Sequence, residues 1–120
     1  MGPVADATAD RWFTPAFVDA QPATVARTID GLRQIPVEGY AGCCHALISA
    51  DFRAKLGAVA LPVLAVAGHD DPVTTPADLQ DIAQDVVDGR CVEVGGRHIC
   101  NLESADAFNG ALAAFLLQNR

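Results

Sequence analysis

The sequence has few positive charges, no long hydrophobic run and no paired cysteine motif. Lysine and arginine number 8 against 15 aspartates and glutamates, so the net charge is −7. A nucleic-acid-binding protein needs clustered positive side chains to meet phosphates, and we therefore expect no nucleic-acid partner. Because hydrophobic residues make up 51% of the chain and charged residues 19%, the composition also excludes intrinsic disorder.

The sequence also shows no signal for membrane insertion or for export. The longest apolar stretch, residues 56–68, contains Pro62 and is shorter than the ~20 residues that a spanning helix needs. Residues 1–12 carry Asp6 and Asp10 where a signal peptide would have a basic start and an apolar middle. We therefore expect no membrane partner and a cytoplasmic location, in which the 4 cysteines would be reduced thiols. Since no two of them form a C-x-x-C pair, the sequence predicts no metal site.

Residues 1–56 have a helical pattern that prolines and glycines interrupt. Helices are predicted to begin at Thr14-Pro15, at Pro22 and near Glu38. The second of these helices carries an apolar stripe made of Val25, Ile29 and Leu32. On the third, apolar residues recur at helical spacing, which predicts a buried face. That face consists of Tyr40, Cys43, Cys44, Leu47 and Ile48.

Residues 57–120 alternate between strand and helix. The continuous apolar run at residues 61–67 (LPVLAVA) is typical of a parallel strand that is covered on both faces. The sequence Thr75-Pro76-Ala77-Asp78 has the composition of a capping box and predicts a helix that ends at Gly89. A second strand at residues 91–94 and a final helix at residues 104–117 complete the α/β pattern. The predicted buried residues of the final helix are Phe108, Ala111, Leu112, Phe115 and Leu116.

Strand, helix and strand over residues 61–94 predict a βαβ unit, in which two parallel strands are joined by a right-handed crossover. A parallel sheet of two strands cannot cover its own faces and edges, and parallel sheets are rarely so small. We therefore expect the chain to be incomplete on its own. The remaining strands would come from a missing N-terminal half, or the exposed surfaces would be covered by self-association as a homo-oligomer.

Titratable side chains follow both predicted strands. Residues 68–72 (GHDDP) come after the first strand and residues 95–98 (GGRH) after the second. Side chains beyond the carboxyl ends of parallel strands share one edge of the sheet, where active sites form. A carboxylate there can orient a histidine that acts as general base. A serine nucleophile on a G-x-S-x-G elbow is absent, because no two glycines of the chain are four residues apart, and the chain alone is predicted to be inactive.

The two loops carry a resemblance to a known family. The segment VLAVAGHDDPVTTP (residues 63–76) and the segment GGRHICNLESADAF (residues 95–108) resemble the acid loop and the histidine loop of the α/β-hydrolase fold. The resemblance is to 3-oxoadipate enol-lactonases (β-ketoadipate enol-lactone hydrolases) in particular. By this alignment Asp71, and not Asp70, is the triad acid, and His98 is the triad base.

Two upstream segments resemble the helical lid of the same family. They are RWFTPAF (residues 11–17) and EGYAGCCHALISADFR (residues 38–53). The resemblance divides the chain into a helical lid at residues 1–56 and the C-terminal βαβα part of an α/β-hydrolase core at residues 57–120. Trp12 would then line the substrate pocket, although packing between lid and core explains a tryptophan there equally well.

The resemblance implies a serine hydrolase of aromatic-compound degradation, in the β-ketoadipate pathway. Such an enzyme opens a lactone ring by serine attack, forms an acyl-enzyme and releases 3-oxoadipate after attack by water. It implies a small lactone or ester substrate once the site is completed, and no metal or organic cofactor. Two other interpretations stay open. One is another α/β-hydrolase, such as an esterase, a carbon–carbon bond hydrolase or a haloperoxidase-like protein. The other is a non-catalytic α/β module that associates with another chain.

Overall fold

A computed structural model describes residues 1–119 of the chain. Its first part holds five α-helices and a 3₁₀ helix: α1 (Gly2–Asp6), α2 (Ala9–Trp12), α3 (Pro15–Ala20), α4 (Pro22–Arg33), α5 (Val37–Ser49) and the 3₁₀ helix Arg53–Ala58. Its second part alternates strands and helices: β1 (Val63–Gly68), α6 (Pro76–Asp85), β2 (Gly89–Val94), α7 (Cys100–Glu103) and α8 (Ala105–Gln118). Among these described residues, no helix is both long enough and apolar enough to cross a membrane.

The two strands form a parallel sheet, as the sequence predicts. Val63 lies opposite Gly89, and Gly68 lies opposite Val94. Helix α6 connects the strands and packs against both of them. Because the strands run in the same direction, the loops that follow them leave the sheet at the same edge.

Side-chain caps begin two of the helices at the predicted positions. At α3, the Thr14 hydroxyl accepts a hydrogen bond of 3.3 Å from the Phe17 N–H. At α6, the Asp78 N–H donates to the Thr75 hydroxyl at 3.3 Å, and the Thr75 N–H donates to the Asp78 carboxylate at 2.8 Å. This reciprocal arrangement is a capping box, which satisfies backbone donors that the helix itself leaves unpaired.

Gly89 does not end α6, and that prediction is wrong. The helix ends at Asp85, and Gly89 is the first residue of β2. Here the strand passes so close to α6 that a Cβ atom on Gly89 would lie 1.9 Å from the carbonyl oxygen of Ala83. The glycine is therefore required for close packing of helix against strand, and not for helix termination.

The N-terminal helices share a hydrophobic core. The stripe predicted on α4 is confirmed, because Val25, Ile29 and Leu32 are all buried. They pack around Phe13, whose side chain is fully buried. Ile99, from the loop after β2, also packs against this core. The helical region is therefore attached directly to the loop that contains the predicted catalytic histidine.

The predicted boundary between residues 56 and 57 falls within the 3₁₀ helix Arg53–Ala58. The two parts of the chain that this boundary separates are in contact with each other. One link is a hydrogen bond of 3.1 Å from the Ile99 N–H to the Trp12 carbonyl oxygen. The division into a lid at residues 1–56 and a core at residues 57–120 stays a prediction.

The apolar faces of α5 and α8 are only partly covered, so the prediction that they are buried is wrong for part of each face. No residue of α5 is buried, and Leu47 and Ile48 are 74% and 82% exposed. On α8, Leu112 and Leu116 are 38% and 57% exposed. Helical spacing identifies an apolar face, but it does not supply the element that covers this face. Within residues 1–119, Tyr40 of α5 packs against the N-terminal core and α8 contacts both strands, but the four leucine and isoleucine side chains named above stay exposed.

Candidate active site

The loops that follow β1 and β2 lie side by side at the carboxyl edge of the sheet. Two backbone hydrogen bonds join them: the His69 N–H donates to the Val94 carbonyl at 2.8 Å, and the Asp70 N–H donates to the Gly96 carbonyl at 3.0 Å. The parallel strands thus place the two predicted site loops on the same edge. Asp71, the next residue of the first loop, is buried, with 7% of its surface exposed.

Asp71 and His98 form a hydrogen-bonded pair across the two loops. The Nδ1 atom of His98 lies 3.0 Å from Oδ2 of Asp71. The Asp71 side chain is 5% exposed and the His98 side chain 30% exposed. The neighbouring Asp70 is exposed to solvent. A buried carboxylate that holds a partly exposed imidazole is an arrangement suited to proton transfer, because the imidazole is both oriented and accessible.

The turn after β1 holds the Asp71 carboxylate in place. Its Oδ1 atom accepts hydrogen bonds from the backbone N–H groups of Val73 (2.7 Å) and Thr74 (3.3 Å), and its Oδ2 atom accepts one from the Thr74 hydroxyl (2.9 Å). Burial by itself would raise the pKa of Asp71. The hydrogen bonds from His98 and from the turn outweigh burial, and the pKa lies below its ordinary value.

Thr74 was not identified as a site residue from the sequence. A usable signal was present, because aspartate followed at short range by a hydroxyl residue commonly forms a turn with local side-chain hydrogen bonds. In this loop the hydroxyl of Thr74 and the imidazole of His98 share the same carboxylate oxygen, Oδ2 of Asp71. The threonine is therefore part of the support for the acid.

The hydrogen bond between Asp71 and Nδ1 of His98 determines which nitrogen of the neutral imidazole carries the proton. An ionised carboxylate can only accept hydrogen bonds, so Nδ1 of His98 must donate to it. In the neutral imidazole, Nε2 then has no hydrogen and is free to accept a proton. This tautomer is the one that a histidine needs in order to act as a general base through Nε2.

The indole ring of Trp12 lies beside the imidazole of His98. The two ring centroids are 6.4 Å apart, and the ring planes are inclined by 33°. Trp12 is partly buried, and its carbonyl oxygen accepts the hydrogen bond from Ile99 described above. The residue predicted to line a substrate pocket is thus close to the residue predicted to act as base, although the two are far apart in the sequence.

His69, the other histidine at this edge, pairs with a different carboxylate. Its Nδ1 atom lies 3.1 Å from Oε2 of Glu93, and both side chains are largely exposed. The hydrogen bond with Glu93 raises the pKa of His69, and the negative charges of Asp70 and Glu93 raise it further. His69 therefore belongs to the solvated rim, and it offers a natural comparison for His98.

Neither serine of the chain is placed on a strand exit. Ser49 is the last residue of α5, where its hydroxyl donates to the carbonyl oxygens of Ala46 (3.2 Å) and His45 (3.4 Å). Ser104 immediately precedes α8 and accepts the Phe108 N–H through its carbonyl oxygen at 2.9 Å. Neither serine is therefore hydrogen-bonded to Asp71 or to His98.

Comparisons with known proteins identify relatives of the chain. No protein-family model matches the chain. Two enol-lactonases of Acinetobacter baylyi match: 3-oxoadipate enol-lactonase 2 is 42% identical over 97% of the chain, and 3-oxoadipate enol-lactonase 1 is 33% identical over 91%. The chain spans 43% and 41% of the length of these relatives, which is less than half of each.

A solved structure gives the same relationship in three dimensions. The enol-lactonase from Burkholderia xenovorans LB400 superposes with a TM-score of 0.94 at 36% sequence identity. The match covers 98% of this chain and 45% of that one. The chain therefore has the architecture of the C-terminal part of the α/β-hydrolase fold, and its homologues include 3-oxoadipate enol-lactonases.

Proposed function

We propose that the chain supplies the acid and the base of a serine-hydrolase triad, Asp71 and His98, to an enzyme that hydrolyses a lactone of the 3-oxoadipate enol-lactone type. The observation that carries the proposal is the 3.0 Å contact between the buried Asp71 carboxylate and His98 Nδ1. The identity to the two Acinetobacter baylyi enol-lactonases supports the choice of substrate class.

His98 moves protons in both halves of the proposed reaction. In the first half, Nε2 accepts the proton of the serine hydroxyl as its oxygen attacks the lactone carbonyl. Nε2 then gives this proton to the ring oxygen that leaves as the C–O bond breaks, which produces the acyl-enzyme. In the second half, Nε2 takes a proton from the water that attacks the acyl group and returns it to the serine oxygen as the open-chain acid leaves. Asp71 holds the reactive tautomer and stabilises the imidazolium that forms in each half.

Trp12 forms one wall of the proposed substrate site. Its ring lies 6.4 Å from the imidazole at a tilt of 33°, which leaves an apolar surface next to the reacting atoms. A flat, apolar indole beside the base favours a small substrate with an unsaturated ring. The helices of residues 1–56 that carry Trp12 would act as the lid of the site.

The nucleophile would come from a segment that completes the sheet. The chain spans less than half of its relatives' length, and a parallel sheet of two strands leaves unpaired backbone groups at both outer edges. The exposed apolar faces of α5 and α8 also favour a covering partner. We propose an N-terminal half that bears the serine as this partner, with a homo-oligomer as the alternative.

A chimera tests the catalytic proposal directly. The part of the Acinetobacter baylyi 3-oxoadipate enol-lactonase 2 that this chain does not match is placed ahead of residues 1–120. We expect the folded chimera to open the enol-lactone, and His98→Gln to lower kcat by about 10⁴-fold or more, because loss of the triad histidine costs at least as much as loss of its aspartate. His69→Gln is the matched control, because it changes a histidine at the same edge that pairs with Glu93, and it should leave kcat unchanged.

Turnover that survives His98→Gln in a folded chimera would contradict the proposed base. Relative rates on the enol-lactone and on p-nitrophenyl acetate separate a lactonase from a general esterase, since each should prefer its own substrate class. The chain without a serine-bearing segment should give no burst with p-nitrophenyl acetate. A burst that His98→Ala abolishes would show that the chain needs no partner for catalysis.

The second candidate function is a non-catalytic association module. It is favoured by the same exposed faces, of which Leu47 and Ile48 on α5 are the most accessible residues. Sedimentation of the isolated chain tests it. Concentration-dependent dimers would support association, and a stable monomer that unfolds cooperatively would count against it.

A further inference from the structure

Glu103, the last residue of α7, joins the histidine loop to the segment that carries Trp12. Its Oε1 atom accepts hydrogen bonds from the Thr14 N–H (3.0 Å) and the Thr14 hydroxyl (2.6 Å). Its Oε2 atom accepts the Arg97 N–H at 2.5 Å. One carboxylate thus receives three donors from two segments that are distant in sequence, and Arg97 directly precedes His98.

The loop backbone is shaped around this carboxylate. Gly96 has a φ of +102°, a backbone conformation that residues other than glycine rarely adopt. A Cβ atom at this position would lie 2.7 Å from Oε2 of Glu103 and 2.8 Å from its Cβ. The loop before His98 therefore packs directly on the Glu103 side chain, with no space between them.

Both neighbours of His98 are tied to the same helical segment. The Ile99 N–H donates to the Trp12 carbonyl at 3.1 Å, and the Arg97 guanidinium donates to the carbonyl oxygens of Asp10 and Phe13. These are bonds to carbonyl oxygens alone. Glu103 is the carboxylate among the groups that connect the histidine loop to the helical segment. Hydrogen bonds to a charged acceptor are stronger than those between neutral groups, so its bonds are the strongest of this set.

We infer that Glu103 is a positioning residue for His98, which fixes the imidazole against Trp12 on one side and Asp71 on the other. The inference rests on the proposed role of His98 as a base. Glu103 itself does not touch the imidazole. It acts by keeping the backbone of His98 at a constant distance from the indole ring of Trp12. The imidazole can then make the 3.0 Å hydrogen bond to Asp71 and lie 6.4 Å from the indole centroid at the same time.

Two nuclear magnetic resonance signals of the full chain test this inference without any turnover. One is the tautomer of the His98 imidazole, read from the long-range ¹H–¹⁵N spectrum. The other is the nuclear Overhauser contact between the ring protons of His98 and Trp12. We expect the unchanged chain to show Nδ1–H and the ring contact, and Glu103→Ala to show a mixture of tautomers and loss of the ring contact.

Two further variants make the result specific. Asp106→Asn removes a negative charge from the nearby first turn of α8, and both signals should be unchanged. Glu103→Gln keeps the size of the side chain and an oxygen for Thr14 but turns an N–H group toward the Arg97 N–H, so it should weaken both signals. If Glu103→Ala does not fold, the two signals of Glu103→Gln test the inference instead.

A purely structural role predicts a different pattern. Glu103→Ala or Glu103→Gln would then unfold at lower denaturant concentration, while both His98 signals would be intact in the folded molecules, and this result would overturn the inference. Absence of the ring contact in the unchanged chain would overturn it as well. If the chimera described above is inactive while the signals respond to Glu103 as expected, the proposed function fails and the positioning of His98 by Glu103 still holds.

Discussion

Replacing Asp71 with asparagine changes the proton on His98 while it leaves the shape of the site almost unaltered. The amide oxygen of the asparagine can keep the two backbone hydrogen bonds from Val73 and Thr74 that Oδ1 now accepts. The amide nitrogen then occupies the place of Oδ2 and presents hydrogens to His98 Nδ1. Nδ1 must therefore become an acceptor, and the proton moves to Nε2.

The structure sets the expected loss of stability. At the aspartate, four hydrogen bonds end on a charged acceptor, and each is worth about 1.5–3 kcal/mol, whereas bonds between neutral groups are worth about 0.5–1.5 kcal/mol. If all four bonds re-form on the neutral amide, each is weaker by about 1 kcal/mol, and the lower cost of burying an uncharged group offsets part of this loss. We therefore expect Asp71→Asn to lower the free energy of unfolding by about 2–4 kcal/mol. Asp70→Asn, at the exposed neighbour, should change it by less than about 0.5 kcal/mol.

The effect should depend on pH in a definite direction. The pKa of Asp71 is lowered in the folded chain, so its ionised form stabilises the fold above the unfolded-state pKa of about 3.9. This contribution is lost as the pH falls through the lower folded-state pKa. The difference in unfolding free energy between the unchanged chain and Asp71→Asn should therefore be largest near neutral pH and should shrink below about pH 4.

Urea unfolding at several pH values measures the stability, and the chimera measures catalysis. In the chimera, Asp71→Asn should lower kcat by roughly 10⁴-fold, the cost of inverting the histidine tautomer in a triad, with little change in KM. Equal losses for Asp70→Asn and Asp71→Asn would refute the assignment of the acid. A Nδ1–H tautomer that persists in Asp71→Asn would refute the reasoning about the proton.

Two further predictions concern the framework of the site. Thr75→Ala removes the capping box of α6 and should lower the free energy of unfolding by about 1 kcal/mol in urea unfolding; no change would show that the cap is dispensable. Gly96→Ala should destabilise the chain by about 1–3 kcal/mol, because of the φ of +102° and the contact with Glu103. Gly110 lies inside α8, and a Cβ atom there would have no neighbouring atom within 4 Å, so Gly110→Ala should stabilise the chain by about 0.5–1 kcal/mol. If both substitutions changed the free energy of unfolding in the same direction, the structural reason would be refuted.

The features that the sequence predicts correctly depend on residues close to each other in the chain. The caps at Thr14 and Thr75 involve partners three residues away, and the buried stripe on α4 repeats over a single helix. The parallel sheet is also predictable, because an apolar strand, a helix and a second strand can join in few ways. From that topology alone, Asp71 and His98 are expected at one edge of the sheet.

Contacts between distant segments could not be read from the pattern. The bond from Thr14 to Glu103 spans 89 residues, and nothing in the spacing of either residue points to the other. The role of Gly89 depends on how closely β2 passes α6, since a glycine after a helical pattern looks the same whether it ends the helix or permits close packing. Thr74 lies within reach of local reasoning, but its importance follows from the position of His98.

The sequence by itself determined both strands, their direction and the longer helices, and with the family resemblance it predicted Asp71 as the acid and His98 as the base. Each of these depends on short-range stereochemistry or on a local motif. The tertiary structure decided which apolar faces remain exposed, which tautomer His98 adopts and how Trp12 comes to lie beside it. These properties depend on distances between elements, and such distances are set by packing of the whole chain rather than by any segment of it.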